Sequence, residues 1–196
     1  MEGITWILAS GSPRRRELLS QIGVDYKVHP SQIEERTSAV LPEEVVLDLS
    51  RQKAEDVARN APEGMVVLGA DTVVALDKTI MGKPGSHEEA YEMIDKLQGR
   101  THQVFTGVTM IYREKKGNRK LSFVEKTDVT LYAMSQEEIR SYAQSQEPMD
   151  KAGAYGIQGG FAKYVSGIHG DYSNVVGLPV GRVYQEWKRW MEEQDD

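Results

Sequence analysis

Residues 4–16 have the sequence Ile4-Thr5-Trp6-Ile7-Leu8-Ala9-Ser10-Gly11-Ser12-Pro13-Arg14-Arg15-Arg16, an apolar run that passes through small residues into a basic segment. The apolar part has the length and the β-branched content of a buried strand. Ser12 suits the N-cap of a following helix, and Pro13 suits its first position. The sequence therefore predicts a strand that turns directly into a helix.

The arginines of this corner are unusual for the start of a helix. Arg14, Arg15 and Arg16 lie in the first turn, where a positive charge opposes the helix dipole. Backbone N–H groups, the hydroxyls of Ser10 and Ser12, and guanidinium groups meet there, which is typical of a phosphate site. A basic first turn that is merely solvated is the alternative. The preceding strand and the small-residue loop favour the anion site.

Composition narrows the class of protein. A chain of 196 residues, 39% of them hydrophobic, fits one domain with a real core. The net charge of −6 argues against a general nucleic-acid binder and, with clustered arginines, favours a pocket for a small anion. The absence of cysteine excludes disulfides, thiolate metal sites and a cysteine nucleophile. No targeting segment or membrane span is recognisable, so we expect a cytoplasmic protein that contacts neither membranes nor nucleic acid.

Helical and strand patterns alternate along the chain. Apolar periodicity and capping signals predict helices over 43–59, 87–98 and 136–146, and another at the C-terminal end. Strand-like runs cover 65–76, 103–113 and 121–133. The first of these runs is interrupted at Asp71-Thr72, and the other two predict a long hairpin. We expect one α/β domain over 1–196, with a mixed twisted sheet and flanking helices, in which the hairpin 103–133 is a candidate for part of a second lobe.

Asp71 and a pair of acids earlier in the chain are candidate ligands. A carboxylate in an apolar strand such as that of Asp71 must be paired, hydrogen-bonded or bound to a cation. Glu34 and Glu35 could join Asp71 around a hard divalent cation such as Mg²⁺. The alternatives are an exposed strand end for Asp71 and an ordinary acidic loop for the pair.

Two lysines fit the same anionic ligand unequally. Lys53 lies in the apolar stripe of the helix 43–59, where either snorkelling or contact with a phosphate would explain it. Lys83 lies in a tight loop between Gly82 and Pro84, and such a rigid frame favours a functional role.

The segment 147–160 is rich in glycine. Gly153 and Gly156 could let the backbone lie flat against a planar ligand, with Tyr155 to stack on it. The amide of Gln158 offers a donor and an acceptor together, which suits a pyrimidine edge. Ordinary loop chemistry explains the glycines equally well.

Together these motifs resemble the Maf nucleoside triphosphate pyrophosphatases. The matching segments follow the family's order over almost the whole chain: 8–15, 69–74, 82–84, 99–104 with 106–108, 151–159, and 170–172 through 177–179. The resemblance implies a mixed α/β architecture, similar to that of the inosine triphosphatases, with two lobes around a cleft, and a homodimer. It also implies metal-dependent cleavage between the α- and β-phosphates, which yields a nucleoside monophosphate and pyrophosphate.

The resemblance also implies roles for individual residues. Asp71 corresponds to the proton acceptor for the attacking water, and Lys83 belongs with it in the catalytic set. Glu34 and Asp71 would hold Mg²⁺ or Mn²⁺. The residues that would contact substrate are Ser10, Arg14, Arg15, Lys53, Thr72 and Gln158.

Arg14, Thr72 and Gln158 resemble the branch of the family that acts on dTTP and UTP, and modified pyrimidine triphosphates are further candidate substrates. The branch that acts on 7-methyl-GTP carries other residues there, typically tryptophan at the first position. One alternative is a non-catalytic nucleotide sensor that regulates septum formation and cell-division arrest. Another is a house-cleaning pyrophosphatase of the inosine-triphosphate type. Asp71 together with both lysines favours catalysis, because a sensor needs no water-activating carboxylate.

Overall fold

The computed structural model describes residues 3–115 and 117–192. Its α-helices are α1 (Pro13–Gln21), α2 (Pro42–Ala58), α3 (His87–Leu97), α4 (Gln136–Ala143), α5 (Tyr172–Val176) and α6 (Val180–Glu192). Its strands are β1 (Trp6–Leu8), β2 (Tyr26–Val28), β3 (Val66–Leu76), β4 (Thr79–Met81), β5 (Thr101–Glu114), β6 (Gly117–Leu131) and β7 (Val165–His169). Short 3₁₀ turns cover Glu147–Asp150, Ala152–Ala154 and Gly160–Tyr164.

The strands form a mixed sheet of seven strands, which confirms the predicted α/β class. Its order is β2-β1-β3-β5-β6-β7, with β4 paired to β3. β1 runs parallel to β2 and β3, whereas β4 and β7 run antiparallel to their partners. The parallel register pairs Leu8 with Leu68. Ser10 lies two residues after Leu8 and Asp71 three residues after Leu68, so both lie at the level of the sheet where β1 ends, the carboxyl end at which parallel α/β sheets bind ligands.

The chain divides into two compact units. The first comprises the described residues of Met1–Asp71, Thr106–Glu125 and Gly177–Asp196, and the second comprises Thr72–Phe105 and Lys126–Val176. The hairpin of β5 and β6 contributes residues to both units. Among the described residues, no helix combines the length and the apolar character that crossing a membrane requires.

In the first unit, α2 covers β3 and β5 at very close range, and two glycines make this possible. A Cβ atom at Gly69 of β3 would lie 2.3 Å from the carbonyl oxygen of Ser50. A Cβ atom at Gly107 of β5 would lie 2.1 Å from the carbonyl oxygen of Val46. Because glycine has no side chain, these two residues let the backbone of α2 approach β3 and β5 closely. The position of Lys53 on α2 depends on this approach.

The rest of this unit's core consists of aliphatic and indole side chains. All three residues of β1 are buried, and the ring of Trp6 packs edge-on against Trp187 of α6 at a centroid distance of 5.2 Å. Three hydroxyl groups form a hydrogen-bonded series beneath α2. The hydroxyl of Thr109 lies 2.9 Å from that of Ser50 and 3.0 Å from that of Ser122. Each of these hydroxyls thereby has a partner, as burial requires.

The second unit has its own core. α3 and α4 pack with the 3₁₀ turns around Phe161, which is fully buried among the rings of Tyr142, Tyr155 and Tyr164. α4 begins with the capping box of Ser135 and Glu138 that its sequence predicts.

Two local expectations, the interruption of β3 and the length of β1, were wrong, and the prediction of Ser12 as N-cap is confirmed in position. β3 continues without a break through Asp71-Thr72, whereas we expected an interruption there. Ser12 stands at the N-cap of α1, but its side chain makes no capping bond. β1 covers Trp6–Leu8 and is shorter than the predicted strand 4–9 at both ends, and the chain turns toward α1 after Ala9.

Candidate active site

The centre of the candidate site is an ion-paired cluster in the first unit. Lys53 Nζ lies 2.6 Å from Asp71 Oδ1 and 3.1 Å from Glu35 Oε2. The side chains of Lys53 and Asp71 are only 12% and 14% exposed. Lys53 is therefore no snorkelling lysine, because its ammonium turns inward and holds two carboxylates together.

The corner after β1 forms a second part of the site. Ser10 is buried, and its Oγ accepts hydrogen bonds from Ser12 N at 3.2 Å and from Arg15 Nη1 at 3.1 Å. Arg15 Nε also donates to the carbonyl oxygen of Gly177 at 2.8 Å. These contacts fix the guanidinium of Arg15 on the same side as the serine hydroxyl.

The charge of Arg15 is coupled to the ion-paired cluster. Burial lowers the pKa of Arg15, and the negative charges of Asp71 and Glu35 oppose that shift, while Arg14 adds to it. An arginine whose charge is desolvated and only partly compensated attracts anions strongly. Direct contacts thus join Arg15 to Ser10 and Lys53 to Asp71, and the charges of Arg14 and Asp71 act on Arg15. The roles assigned to these residues stay predictions.

The two adjacent acids of the loop before α2 face different partners. Glu34 is 76% exposed and pairs with Arg36 at 2.6 Å. Glu35 instead contacts Lys53. The residues alone left the two acids as a pair, because an irregular loop has no periodicity that tells which acid faces inward. The metal role of Glu34, beside Asp71, is implied by the resemblance and stays a prediction.

This acidic loop is tied to α2 on both sides of Glu35. Asp56 Oδ2 accepts hydrogen bonds from Ser31 Oγ at 2.8 Å and from Gln32 N at 3.1 Å. These two bonds lower the pKa of Asp56. After Glu35, Gln52 Nε2 donates to the carbonyl oxygen of Arg36 at 2.7 Å. The helix that carries Lys53 therefore also fixes the backbone that carries Glu35.

The donor set limits how a metal could bind. Within residues 3–115 and 117–192, no three His, Asp or Glu side chains converge as a metal site would require. Asp71 and Glu35 both contact one ammonium, so two carboxylates lie close enough to share a cation. Mg²⁺ and Mn²⁺ commonly take one or two carboxylates and draw their other ligands from substrate phosphates and water. The residues fit a metal that arrives with a nucleotide.

Thr72, Lys83 and Gln158 belong to the second unit. Lys83 is exposed in a loop whose frame is rigid, because Gly82 O accepts a hydrogen bond from Gly153 N at 3.0 Å. Gly153 has a φ of +67° and packs against Val74, where a Cβ atom would meet the valine side chain at 2.9 Å. The loop of Lys83 and the glycine-rich segment are thus one connected structure.

The glycine-rich segment differs from expectation in what it exposes. Tyr155 is buried, and its hydroxyl lies 2.7 Å from His102 Nε2, so its ring cannot stack on a ligand. The space beside Gly156 is filled by the side chain of Lys151, and that beside Gly153 by Val74. Gln158 is exposed at the tip of the turn that follows. Of the residues of this segment that were expected to contact a base, Gln158 is the exposed one.

Comparison with known proteins gives consistent matches. The family model described as Maf-like protein matches residues 5–190. The chain is 50% identical to the dTTP/UTP pyrophosphatase of Agathobacter rectalis, with 93% of this chain and 96% of that protein covered. It is 51% identical to the dTTP/UTP pyrophosphatase of Carboxydothermus hydrogenoformans, with 93% and 97% covered. Among solved structures, a HAM1 protein from Coxiella burnetii matches 65% of this chain and 73% of its own, at 14% identity and a TM-score of 0.45.

Proposed function

The chain belongs to the Maf family, and on that premise we propose that it hydrolyses dTTP and UTP to the nucleoside monophosphate and pyrophosphate. The observation that carries the proposal is the contact of Lys53 with both Asp71 and Glu35, beside the corner that holds Arg15. Relatives at about half identity over nearly all of the chain are named for this activity. Modified pyrimidine triphosphates are included in the proposed substrate class.

The chain's own residues supply the positioning and the charge that phosphoryl transfer needs. Asp71 accepts the proton of a water that attacks the α-phosphorus, and the bond from that phosphorus to the oxygen bridging to the β-phosphate breaks. Asp71 Oδ1 is held by Lys53 at 2.6 Å, which fixes the orientation of the carboxylate that would accept the proton. Arg14, Arg15 and Lys83 stabilise the charge that develops on the departing pyrophosphate.

A divalent cation, Mg²⁺ or Mn²⁺, completes the proposed site. Asp71 and Glu35 would hold it, and when bound it supplies charge neutralisation at the phosphates and a more acidic water. Glu34, which the resemblance points to, is exposed beside Arg36 and serves as the comparison position.

Base recognition is assigned to Arg14, Thr72 and Gln158. The exposed amide of Gln158 donates and accepts a hydrogen bond at once, which fits a pyrimidine edge. A site built on such hydrogen bonds rejects a base that leaves its polar groups unpaired. We therefore expect UTP and dTTP to be hydrolysed much faster than ATP or GTP.

The test measures pyrophosphate release from UTP, dTTP, CTP, ATP and GTP with Mg²⁺. Asp71→Asn keeps the shape of the side chain but removes the base, and we expect a loss of about 10²–10⁴-fold in kcat. Gln158→Ala is expected to reduce the preference for pyrimidines more than the activity on the best substrate. Thermal melts of all three proteins control for folding. Turnover of dTTP by Asp71→Asn within threefold of wild type, a threshold of about 0.7 kcal/mol, would contradict the assigned role.

The cellular context is also part of the proposal. We propose that the protein acts in the cytoplasm, as a homodimer, and contributes to the arrest of cell division. Light scattering coupled to gel filtration tests the dimer, and a deletion strain complemented with Asp71→Asn tests whether the division phenotype depends on hydrolysis.

A further inference from the structure

We propose that Glu147 is a positioning residue, which sets the base preference by holding the turn that presents Gln158. This inference rests on the proposed function, because it assumes that Gln158 contacts the base. Glu147 lies outside the ion-paired cluster and belongs to the same unit as Gln158. Its role would be exerted through the backbone of the turn and not through contact with substrate.

The carboxylate of Glu147 holds the far end of the turn. Its Oε2 accepts a hydrogen bond from Gly160 N at 2.9 Å, and its Oε1 accepts one from Phe161 N at 3.4 Å. Tyr142 Oη donates to the same Oε1 at 3.2 Å. Burial and the charge of Glu147 raise the pKa of Tyr142, so the phenol remains a donor. One carboxylate thus accepts from two consecutive backbone N–H groups and one hydroxyl, which is strong charge-assisted bonding.

The carboxylate also packs directly against the turn. A Cβ atom at Gly159 would lie 2.2 Å from Glu147 Oε1. The φ angle of Gly159 is −100°, which any residue can adopt, so the backbone conformation does not require glycine there. The carboxylate of Glu147 therefore occupies the space that a side chain at residue 159 would need.

The near end of the turn is held independently. The buried hydroxyl of Tyr155 lies 2.7 Å from His102 Nε2 in β5. Gln158 is exposed between this anchor and the one at Gly160 and Phe161. The exposed amide therefore extends from a short backbone segment whose two ends are fixed, and Glu147 supplies one of the two fixations.

Loss of this anchor has a specific expected consequence. A hydrogen bond that reads a base depends on placing the amide accurately, and a misplacement of about 1 Å can cost as much as 10²-fold. Contacts to the phosphates are common to all nucleoside triphosphates and lie elsewhere. Releasing the turn should therefore raise KM for UTP and dTTP while changing the already poor use of ATP and GTP little.

The experiment compares Glu147→Gln and Gly159→Ala, which disturb one contact from its two sides, with Gly167→Ala as the control. Gly167 is exposed in β7 of the same unit, and nothing lies within 4 Å of a Cβ atom there. The readout is kcat/KM for UTP and for GTP, with KM and kcat separated, and a thermal melt of each variant. We expect the ratio of UTP to GTP to fall about tenfold in both variants, mainly through KM for UTP, and to stay unchanged in Gly167→Ala.

Outcomes separate this inference from the proposed function. If Gln158→Ala lowers the ratio while Glu147→Gln and Gly159→Ala both keep it, the positioning role is overturned and the proposed function stands. An equal loss of kcat on every nucleotide in both variants also overturns it, because a general loss of structure would act in that way. If the wild type shows no preference for pyrimidines, the proposed base recognition fails and the inference fails with it. Should Glu147→Gln not fold, Gly159→Ala decides, since it leaves the glutamate in the chain.

Discussion

Glu34 and Glu35 are chemically identical neighbours that the structure treats very differently. Glu35 contacts the inward-facing ammonium of Lys53, whereas Glu34 pairs with Arg36 at the surface. Exposed ion pairs contribute about 0–1 kcal/mol, so the pairing of Glu34 has little energetic weight. The two residues therefore form a natural pair of test and control within one loop.

We predict that Glu35→Gln lowers activity and weakens metal binding, and that Glu34→Gln does neither. Loss of a partner that only orients a metal ligand costs about 10–100-fold in metal affinity, so loss of one of two direct carboxylate ligands is expected to cost at least as much. The measurement is the Mn²⁺ concentration needed for half-maximal UTP hydrolysis, together with Mn²⁺ binding followed by calorimetry in the presence of UMP and pyrophosphate. A loss of metal affinity in Glu34→Gln alone would identify Glu34, the residue that the resemblance indicates, as the metal ligand.

At the scale of single elements, the position of α2 decides the geometry of the cluster. Gly69 lets the helix backbone approach β3, and Lys53 follows Ser50 by less than one turn. A methyl group at Gly69 cannot be accommodated by rotation of a side chain, because the atoms that it would meet include the backbone carbonyl of Ser50 and the backbone nitrogen of Ala54.

We predict that Gly69→Ala destabilises the protein by about 1–3 kcal/mol, the usual cost of overpacking a core. Activity should fall further than the folded fraction does, because the shifted helix carries Lys53 away from Asp71. Urea unfolding and kcat/KM for UTP measure the two effects. Gly181→Ala in α6 is the control, since a Cβ atom there meets nothing within 4 Å outside its own helix. Activity that merely tracks the folded fraction would show that the helix position has no separate importance.

The long elements could be predicted from the sequence because each carries a periodic pattern. The hairpin, α2, α3 and α4 lie within a few residues of their predicted bounds. The short strands β2, β4 and β7 were not predicted, since three to five residues give no period. Pairing with long neighbours creates such strands, and that information is not local.

The sequence predicts which residues belong to the candidate site, but it does not predict the direction in which each side chain points. The strand-to-helix corner predicts Ser10 and Arg15, and charges within otherwise apolar elements predict Lys53 and Asp71. The structure shows the contacts of these side chains, which the sequence pattern does not. Tyr155 was expected to face a ligand, but it lies in the core because His102 provides a buried partner for its hydroxyl. Such a pairing joins residues from distant parts of the chain, so no local pattern reveals it.

At the scale of the whole molecule, the buried His102 makes stability depend on pH. Burial lowers the pKa of His102 from its ordinary 6.5 to about 4, although Asp128 opposes the shift. The folded pKa lies below the unfolded one, so the unfolded chain binds the extra proton between these values. The contribution of His102 to the free energy of unfolding is therefore fully present above about pH 6.5 and is lost as the pH decreases toward 4. Below about pH 4 this group causes no further loss of stability.

We predict that this one histidine removes about 3 kcal/mol of unfolding free energy between pH 6.5 and pH 4. His102→Gln cannot take up a proton in this range, yet its amide can still bond to the hydroxyl of Tyr155. Urea unfolding of both proteins across the range gives the difference in slope that belongs to His102. Parallel curves for wild type and variant would show that the imidazole titrates normally in the folded state.

The position of α2 also limits which substitutions the protein can accept. The carbonyls of Val46 and Ser50, one turn apart on the helix, face the two glycines of β3 and β5. Substitution of either glycine by alanine would require the whole helix to move. A second substitution in a side chain could not relieve the clash, because the atoms that clash belong to the helix backbone. The position of Lys53 therefore depends less on the residues that contact it than on two strand positions that carry no side chain.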